Sequence, residues 1–308
     1  MLGSAVVRQL RARKVEQVFQ GPKVQWGQAS TRHTLGLGLD RLLRESAGGP
    51  WQILWCAGSG VTASSPSVLR TEFQLFHDFL EDIARRPESE RARGSLFFAS
   101  SAGAAYGGSS NPPFDEQSIP APLGEYGTAK LRAERQLEKF SISTGIPVLI
   151  GQIANLYGPG QSLAKQQGLI SQLCRANLMG LPVSIFVSLD TRRDYFYIDD
   201  CAALIVAACH RLQRMQGSAQ TVRKILASGR SVTIASLLGE FKQVAGKRPL
   251  IVTSSSRSTS LQGRDLRLTS RIWTDLDRTQ KTPLVVGIGQ TLADLSLQLN
   301  QFGARSMR

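Results

Sequence analysis

Short apolar runs that end in small residues constrain the fold of this chain most. One run, Leu96–Ala99, is flanked by Gly and Ser and leads into the small residues of 100–105. Such a run suits a strand that is buried in a parallel sheet. Residues 145–160 repeat the pattern, with an apolar strand, then polar residues, then a Gly/Pro turn. The sequence therefore predicts an open α/β sheet, which binds its ligands at the carboxyl ends of the strands.

A predicted helix follows the first run and carries two residues that can move a proton. Segment 131–140 mixes polar and apolar residues as an amphipathic helix does. Tyr126 and Lys130 lie one helical turn apart on the same face, about 5–6 Å from each other. A phenol has a reference pKa of about 10, and a neighbouring ammonium favours its phenolate form. The pair is a candidate acid/base for hydride transfer, and a solvated helix face is the alternative interpretation.

Two polar motifs follow the second apolar run. Asn155 opens the sequence Asn-Leu-Tyr-Gly-Pro, and Arg193 opens Arg-Asp-Tyr, which is followed by the acidic pair at 199–200. With the Ser-Ser segment and the Tyr-x-x-x-Lys pair, these motifs make four segments in a fixed order. In them the chain resembles the extended short-chain dehydrogenases/reductases of the NAD-dependent epimerase/dehydratase family, over nearly its whole length. The resemblance implies a Rossmann-type doubly wound parallel sheet with a small C-terminal substrate lobe.

The resemblance also assigns roles to the motif residues. Tyr126 would be the catalytic acid/base, and Lys130 would hold the nicotinamide ribose and lower the pKa of Tyr126. Asn155 and Arg193 would contact the diphosphate of the substrate, and Arg193 suits a bidentate phosphate contact.

One catalytic position departs from the family pattern. The family usually has a Ser or Thr four residues before the Tyr-Gly of the strand-end motif, and here that position is Ala102. We nominate Ser101 as its substitute, both for catalysis and for substrate binding.

The cofactor implied by the resemblance is NAD or NADP. Arg32 lies near the expected second strand, and no Asp or Glu follows that strand, which favours NADP but leaves the choice open. The residues assigned to cofactor binding are Gly3, Ala57, Gly58, Ser100, Tyr126 and Lys130.

The N-terminal segment is the largest departure. Family members open with an apolar strand and a Gly-x-x-Gly-x-x-Gly turn, whereas Gly3 here resembles the third glycine, and the first strand and two glycines are missing. Three explanations stay open. Our expectation is that further residues of the working protein precede Met1; the others are a truncated, inactive protein and an adapted protein that no longer needs the dinucleotide.

Composition excludes several other classes of protein. No apolar run approaches the roughly 18 residues of a membrane span, so we expect no membrane association. The excess of 37 Lys and Arg over 23 Asp and Glu is dispersed, and we expect no nucleic-acid partner. The four cysteines lack close pairing and favour a reducing cytoplasm. The three histidines are scattered, so we expect no metal site.

Two acidic pairs have plain structural interpretations. We expect Asp115 and Glu116 to be solvated on a loop, and Asp199 and Asp200 to cap the helix that follows them. The remaining predicted helices are at 34–45, 73–84, 170–179, 201–212, 234–245 and 291–302. The remaining predicted strands are at 23–26, at 51–56, after a turn within 180–186, before a turn within 225–234, and at 265–269. A low-complexity segment at 254–260 is expected to be mobile.

The predicted organisation is a dinucleotide-binding domain at 1–160 and a mainly substrate-binding lobe at 161–308, with 192–212 returning to the main domain. The expected function is that of an NAD(P)-dependent nucleotide-sugar epimerase or 4-keto-sugar reductase. Gly103 and Ala104 stand where a 4,6-dehydratase usually carries an Asp-Glu pair, which argues against dehydration. The alternative is a non-catalytic, dinucleotide-sensing or structural relative. A nucleotide sugar is the expected partner, and the resemblance leaves a homodimer open.

Overall fold

The structure is a computed structural model, which describes residues 1–306 except 16, 162–167, 216–217 and 254–261, with side chains described up to residue 301. The predicted segment at 254–260 lies outside the described residues. The helices are α1 (Leu2–Ala12), α2 (Ser30–Glu45), α3 (Pro66–Ala84), α4 (Glu88–Arg91), α5 (Ala102–Tyr106), α6 (Glu125–Thr144), α7 (Leu169–Met179), α8 (Ile198–Gln213), α9 (Ile234–Ala245) and α10 (Leu284–Ser306), with a 3₁₀ turn at Thr274–Arg278. The strands are β1 (Trp51–Trp55), β2 (Gly94–Ser101), β3 (Val148–Ile153), β4 (Asn155–Tyr157), β5 (Val183–Ile185), β6 (Arg192–Tyr197), β7 (Thr221–Leu226), β8 (Ser231–Thr233), β9 (Ile251–Thr253) and β10 (Asp265–Leu266).

The main sheet is parallel and has the order β1-β2-β3-β7. Every residue of β3 is buried, as are most residues of β2, so both apolar runs form the buried parallel strands that the sequence predicts. Gly151 of β3 has no room for a side chain, because a Cβ there would lie 2.7 Å from side-chain atoms of Phe97 and Leu226.

The predicted strand at 23–26 is wrong. Residues 17–25 have no regular structure, and no strand of the described chain pairs with the outer side of β1. A strand needs a partner for its backbone groups, and Pro22 removes one donor at the start of this segment. Val24 and Trp26 instead pack as side chains against the core cluster that contains Trp51.

Two apolar clusters hold helices to the sheet. One contains Trp55, Phe76, Phe98 and Leu137, and packs α3 and α6 against one face. The other contains Phe97 and runs through α1 and α8 into the C-terminal elements. The site described below therefore lies between α3, α6 and the carboxyl ends of β1 and β2.

The C-terminal half builds two smaller sheets. One has the order β10-β6-β4, with β8 antiparallel to β6, and the other pairs β5 with β9. Strand β7 belongs to the main sheet beside β3, although it lies outside the predicted return segment 192–212. The division into two domains stays a prediction. No helix of the described residues is long and apolar enough to cross a membrane.

Both predictions for the acidic pairs are wrong. Asp115 is buried and pairs with the Arg271 guanidinium, and Glu116 accepts hydrogen bonds from the Ile225 and Arg271 amides at 2.8 Å. These carboxylates join a loop to the C-terminal segment because backbone donors there would otherwise lack partners.

At the start of α8, Tyr197 is the N-cap, and Asp199 and Asp200 lie inside the first turn. They pair there with Arg8 and with Thr282. A carboxylate in the first turn also favours the helix dipole.

Candidate active site

The helix α6 brings Tyr126 and Lys130 to the end of β2. It begins after Gly124, which has an extended backbone, so Tyr126 and Lys130 fall in its first two turns. A Cβ at Gly127 would lie 2.4 Å from the Ala104 carbonyl oxygen. The backbones of α6 and α5 are therefore in direct contact at Gly127, with no room for a side chain. The Lys130 ammonium lies 5.8 Å from the centre of the Tyr126 ring and 5.1 Å from that of Phe98.

Ser101 reaches the same place from the sheet. It is the last residue of β2 and the N-cap of α5, where its hydroxyl accepts a hydrogen bond from the Ala104 amide at 3.3 Å. Its side chain lies near enough to Tyr126 to lower the pKa of that phenol. Ala102, the family's usual Ser/Thr position, is fully buried in the core. The structure therefore brings Ser101 and Tyr126 together.

Ser100 faces a different environment. Its hydroxyl is buried and donates to the Glu134 carboxylate, which also accepts from the Gln152 amide. Because the Ser100 hydroxyl is already hydrogen-bonded inside the protein, a cofactor could contact Ser100 only through its backbone.

The glycine-rich turn after β1 carries a residue that the sequence interpretation missed. Glu72, on α3, accepts hydrogen bonds from the amides of Ser59 at 2.9 Å and Gly60 at 2.8 Å. The same carboxylate lies 3.6 Å from the Lys130 ammonium. The signal was present in the sequence, since Glu72 interrupts the apolar stripe of α3 between Leu69 and Phe76.

The electrostatics of Tyr126 differ from the prediction. The pKa of Tyr126 is raised to about 12. Burial is the larger cause and the Glu72 carboxylate the smaller one, whereas the Ser101 side chain lowers this pKa. Burial lowers the pKa of Lys130, and the Glu72 carboxylate opposes that shift. The predicted lowering of the Tyr126 pKa by Lys130 is therefore wrong here, because Glu72 offsets the positive charge of the lysine.

The space between these groups is small. A cavity of about 20 Å³ opens here, roughly the space that one water molecule needs. Its lining residues are Trp55, Leu69, Glu72, Phe73, Phe76, Phe98, Tyr126, Ala129, Lys130 and Ala133.

The other predicted cofactor residues lie at the carboxyl end of β1. Gly3 is in the first turn of α1, and a Cβ on it would lie 3.6 Å from the Cβ of Cys56. Ala57 follows Cys56 directly. Gly58 lies beside the lysine, since a Cβ there would be 3.8 Å from the Lys130 ammonium and 3.2 Å from a Glu72 oxygen. Helix α1 thus touches the end of β1 at Cys56, and the turn that follows reaches Lys130 at Gly58.

Asn155 and Arg193 lie together in the sheet formed by β4 and β6. The Asn155 amide donates to the Asp194 carbonyl at 3.2 Å. Arg193 is buried, with 7% of the residue exposed, and its guanidinium donates to the Arg192 carbonyl at 2.8 Å. Burial lowers the pKa of Arg193.

Comparison with known families decides the identity of this fold. The family model for the NAD dependent epimerase/dehydratase family matches residues 1–221. The chain belongs to this family. Two motifs of this epimerase/dehydratase chain, the Ser-Ser segment and the Tyr-x-x-x-Lys pair, lie at the end of β2 and at the start of α6, whereas Asn155 and Arg193 lie in β4 and β6 of a separate sheet.

Curated relatives of this epimerase/dehydratase family match part of the chain. The dTDP-4-dehydro-6-deoxyglucose reductase of Escherichia coli is 27% identical over 168 residues, which cover 54% of this chain and 51% of that protein. The dTDP-L-rhamnose 4-epimerase of Burkholderia thailandensis is 33% identical over 101 residues, covering 32% of this chain and 28% of that protein. The matches span about half the length of these relatives or less.

Solved structures match the whole fold. MoeE5 in complex with UDP-glucuronic acid and NAD has a TM-score of 0.76 at 20% identity, covering 96% of both chains. The UDP-glucose 4-epimerase of Thermus thermophilus in complex with NAD has a TM-score of 0.74 at 22% identity, also covering 96% of both chains. The predicted family and the Rossmann-type fold class are confirmed.

Proposed function

We propose that the chain is an NAD(P)-dependent nucleotide-sugar epimerase or 4-keto-sugar reductase, with Tyr126 as its acid/base. The observation that carries this proposal is the meeting of Tyr126, Lys130 and Ser101 at the carboxyl ends of β1 and β2. The family membership supports it, as do a reductase and a 4-epimerase among the relatives.

The cofactor proposal is NAD or NADP. Lys130 and Gly58 fit the nicotinamide-ribose end, because an ammonium can donate to ribose hydroxyls and glycine allows close approach. When bound, the nicotinamide supplies or accepts the hydride. Arg32 pairs with Asp78 and Asp82, so its charge is already satisfied and gives no reason to prefer NADP.

The side chains define the proton step. With a pKa of about 12, Tyr126 is a phenol at neutral pH and can donate its proton to a carbonyl oxygen that is being reduced. Ser101 lies beside the phenol and lowers its pKa, and Lys130 carries the neighbouring positive charge. In the oxidative direction Tyr126 has to accept the proton of a sugar hydroxyl, which needs the scarce phenolate form.

The substrate proposal rests on Arg193 and Asn155. A buried charge is costly unless it is paired, and a sugar-nucleotide diphosphate would supply the counter-charge for Arg193. Asn155 on the adjacent strand is exposed and can contribute an amide donor.

The cellular compartment and the oligomeric state are further proposals. The described cysteines, Cys56, Cys174, Cys201 and Cys209, are free thiols, which suits a reducing cytoplasm. We also keep a homodimer as a proposal, and expect neither a nucleic-acid nor a membrane partner.

Turnover of a panel of nucleotide sugars tests the function. The wild-type protein is incubated with each sugar and NAD or NADP, and products are followed by nicotinamide absorbance and by chromatography. We expect Tyr126→Phe to lower kcat by at least about 10²-fold, the lower range for lost proton transfer, while Ile142→Ala, on the exposed side of the same helix, leaves it unchanged. Unchanged turnover of every accepted sugar by Tyr126→Phe contradicts the proposal.

The second candidate is a non-catalytic, dinucleotide-sensing relative. The small cavity and the carboxylate of Glu72 at Lys130 favour it. Saturable NAD(P)H fluorescence enhancement without turnover of any sugar would establish this second function instead.

A further inference from the structure

We propose that Glu72 is a positioning residue for the Tyr126/Lys130 pair: its carboxylate fixes the Lys130 ammonium against the Ser59–Gly60 turn and neutralises its charge. The description of this pair as catalytic rests on the proposed function, whereas the positioning itself is a property of the fold.

The turn holds one side of the Glu72 carboxylate. The amides of Ser59 and Gly60 donate to it at 2.9 and 2.8 Å, and the Ser59 hydroxyl lies 3.3 Å away. Successive backbone amides in a turn form a concavity that binds anions. This concavity is filled by the protein's own carboxylate, so its orientation is set by the backbone.

The other side of the carboxylate faces Lys130. The two carboxylate oxygens have different partners. Oε2 accepts hydrogen bonds from the amides of the turn, and Oε1 lies 3.6 Å from the Lys130 ammonium. The side chains of Lys130 and Glu72 are only 12% and 13% exposed. Charges removed from water this far need a partner, and each of these two side chains supplies one for the other.

Glycine at two turn positions makes this approach possible. A Cβ at Gly58 would lie 3.2 Å from Glu72 Oε1, and one at Gly60 would lie 3.3 Å from Oε2. The same Cβ at Gly60 would be 3.6 Å from the Tyr126 ring. The turn, the carboxylate and the acid/base pair are therefore packed as one unit.

The charged and titratable groups around Lys130 single out Glu72. From its own helix come Tyr126 and Glu134, and from α3 comes Glu72. Strand β2 presents the neutral ring of Phe98. Glu134 is already engaged by Gln152 and by Arg223. Glu72 raises the pKa of both Tyr126 and Lys130, so its removal should lower both.

The ε-carbon NMR signal of Lys130 tests this directly. In full-length protein labelled with ¹³C at lysine ε-carbons, the Lys130 signal is assigned with Lys130→Arg and titrated with pH. An opposite charge at this distance shifts a pKa by about 1–3 units, so Glu72→Ala should lower the pKa of Lys130 by about 1 unit or more. Formate, a small carboxylate, should raise it again by occupying the vacated place.

Two variants make the result specific. Glu72→Gln keeps the size of the side chain and an oxygen for the turn, and should still lower the pKa of Lys130, which separates charge from packing. Glu81→Ala removes a carboxylate elsewhere on α3 and should leave the titration unchanged. If Lys130 titrates alike in wild type and in folded Glu72→Gln, the inference is overturned.

No step of this experiment needs cofactor or substrate. A shifted Lys130 signal in a protein that turns over no nucleotide sugar supports the positioning role while the proposed function fails. Where turnover is found, Glu72→Gln should move the phenolate-dependent limb of the oxidative kcat/KM profile to lower pH, in parallel with the NMR shift.

Discussion

At the level of single residues, burial and charge act together on Tyr126. Both the apolar surroundings and the Glu72 carboxylate disfavour its phenolate, and they raise its pKa to about 12. Tyrosine and lysine at helical spacing predict an acidic phenol only where the lysine charge is free. Here Glu72 pairs with the lysine, so the residues suit proton donation better than proton abstraction.

Asp194 gives a residue-level prediction for the pH dependence of stability. Burial raises the pKa of Asp194 from 3.8 to about 6, although the Ser228 amide donates to it at 2.9 Å. The folded protein thus binds a proton that the unfolded chain releases, so this carboxyl group makes the free energy of unfolding fall as pH rises from about 4 to about 6. A pKa difference of about two corresponds to roughly 2–3 kcal/mol of unfolding free energy.

Urea unfolding across this pH range measures that effect. Asp194→Asn should remove most of the slope, whereas Asp199→Asn, at the partly exposed start of α8, should keep it. A slope unchanged in Asp194→Asn would show that other groups cause it.

At the level of secondary-structure elements, the sequence predicts buried strands and helices better than it predicts helix ends and edge strands. The strand at 96–99, the apolar strand within 145–160 and the helices at 170–179 and 234–245 are present, because apolar patterns report burial directly. Helix α3 starts at Pro66 after Ser65, seven residues before the predicted start, because proline at the first helical position is a capping signal rather than a periodic one. The strand at 23–26 failed because pairing depends on a neighbour that no local pattern specifies.

The contact of α5 with α6 gives an element-level prediction. Gly127→Ala would put a methyl group 2.4 Å from the Ala104 carbonyl oxygen, so α6 has to move together with Tyr126. Overpacking of this kind costs about 1–3 kcal/mol of unfolding free energy.

The matched control is a glycine in the middle of α9. A Cβ at Gly239 meets nothing within 4 Å, so Gly239→Ala should stabilise the protein by about 0.5–1 kcal/mol. Thermal or urea unfolding compares the two variants, and equal effects of both would contradict the close approach at Gly127.

At the level of the whole molecule, Lys224 joins the main sheet to the C-terminal segment. It lies in β7, its side chain is 0% exposed, and its ammonium donates to the Ile272 carbonyl and the Asp277 carboxylate, both at 2.7 Å, and to the Ser270 hydroxyl at 2.9 Å. A lysine in a buried strand contradicts every local pattern. Its three partners lie more than forty residues along the chain, so the sequence alone could not predict this connection.

Replacing Lys224 with methionine tests how strongly the two parts depend on each other. Lys224→Met keeps the length of the side chain but leaves the Ile272 carbonyl and Asp277 without their donor, and breaking a buried pair costs about 3–5 kcal/mol. Because the Asp277 side chain is 27% exposed, water can replace part of the hydrogen bonding that Lys224 provides, and we expect the lower end of that range in urea unfolding.

Adding Asp277→Leu to Lys224→Met should restore part of the lost unfolding free energy, because the second change removes the unpaired carboxylate. The single variant Asp277→Leu completes the comparison: if its loss and that of Lys224→Met simply add in the double variant, the ion pair does not couple the main sheet to the C-terminal segment.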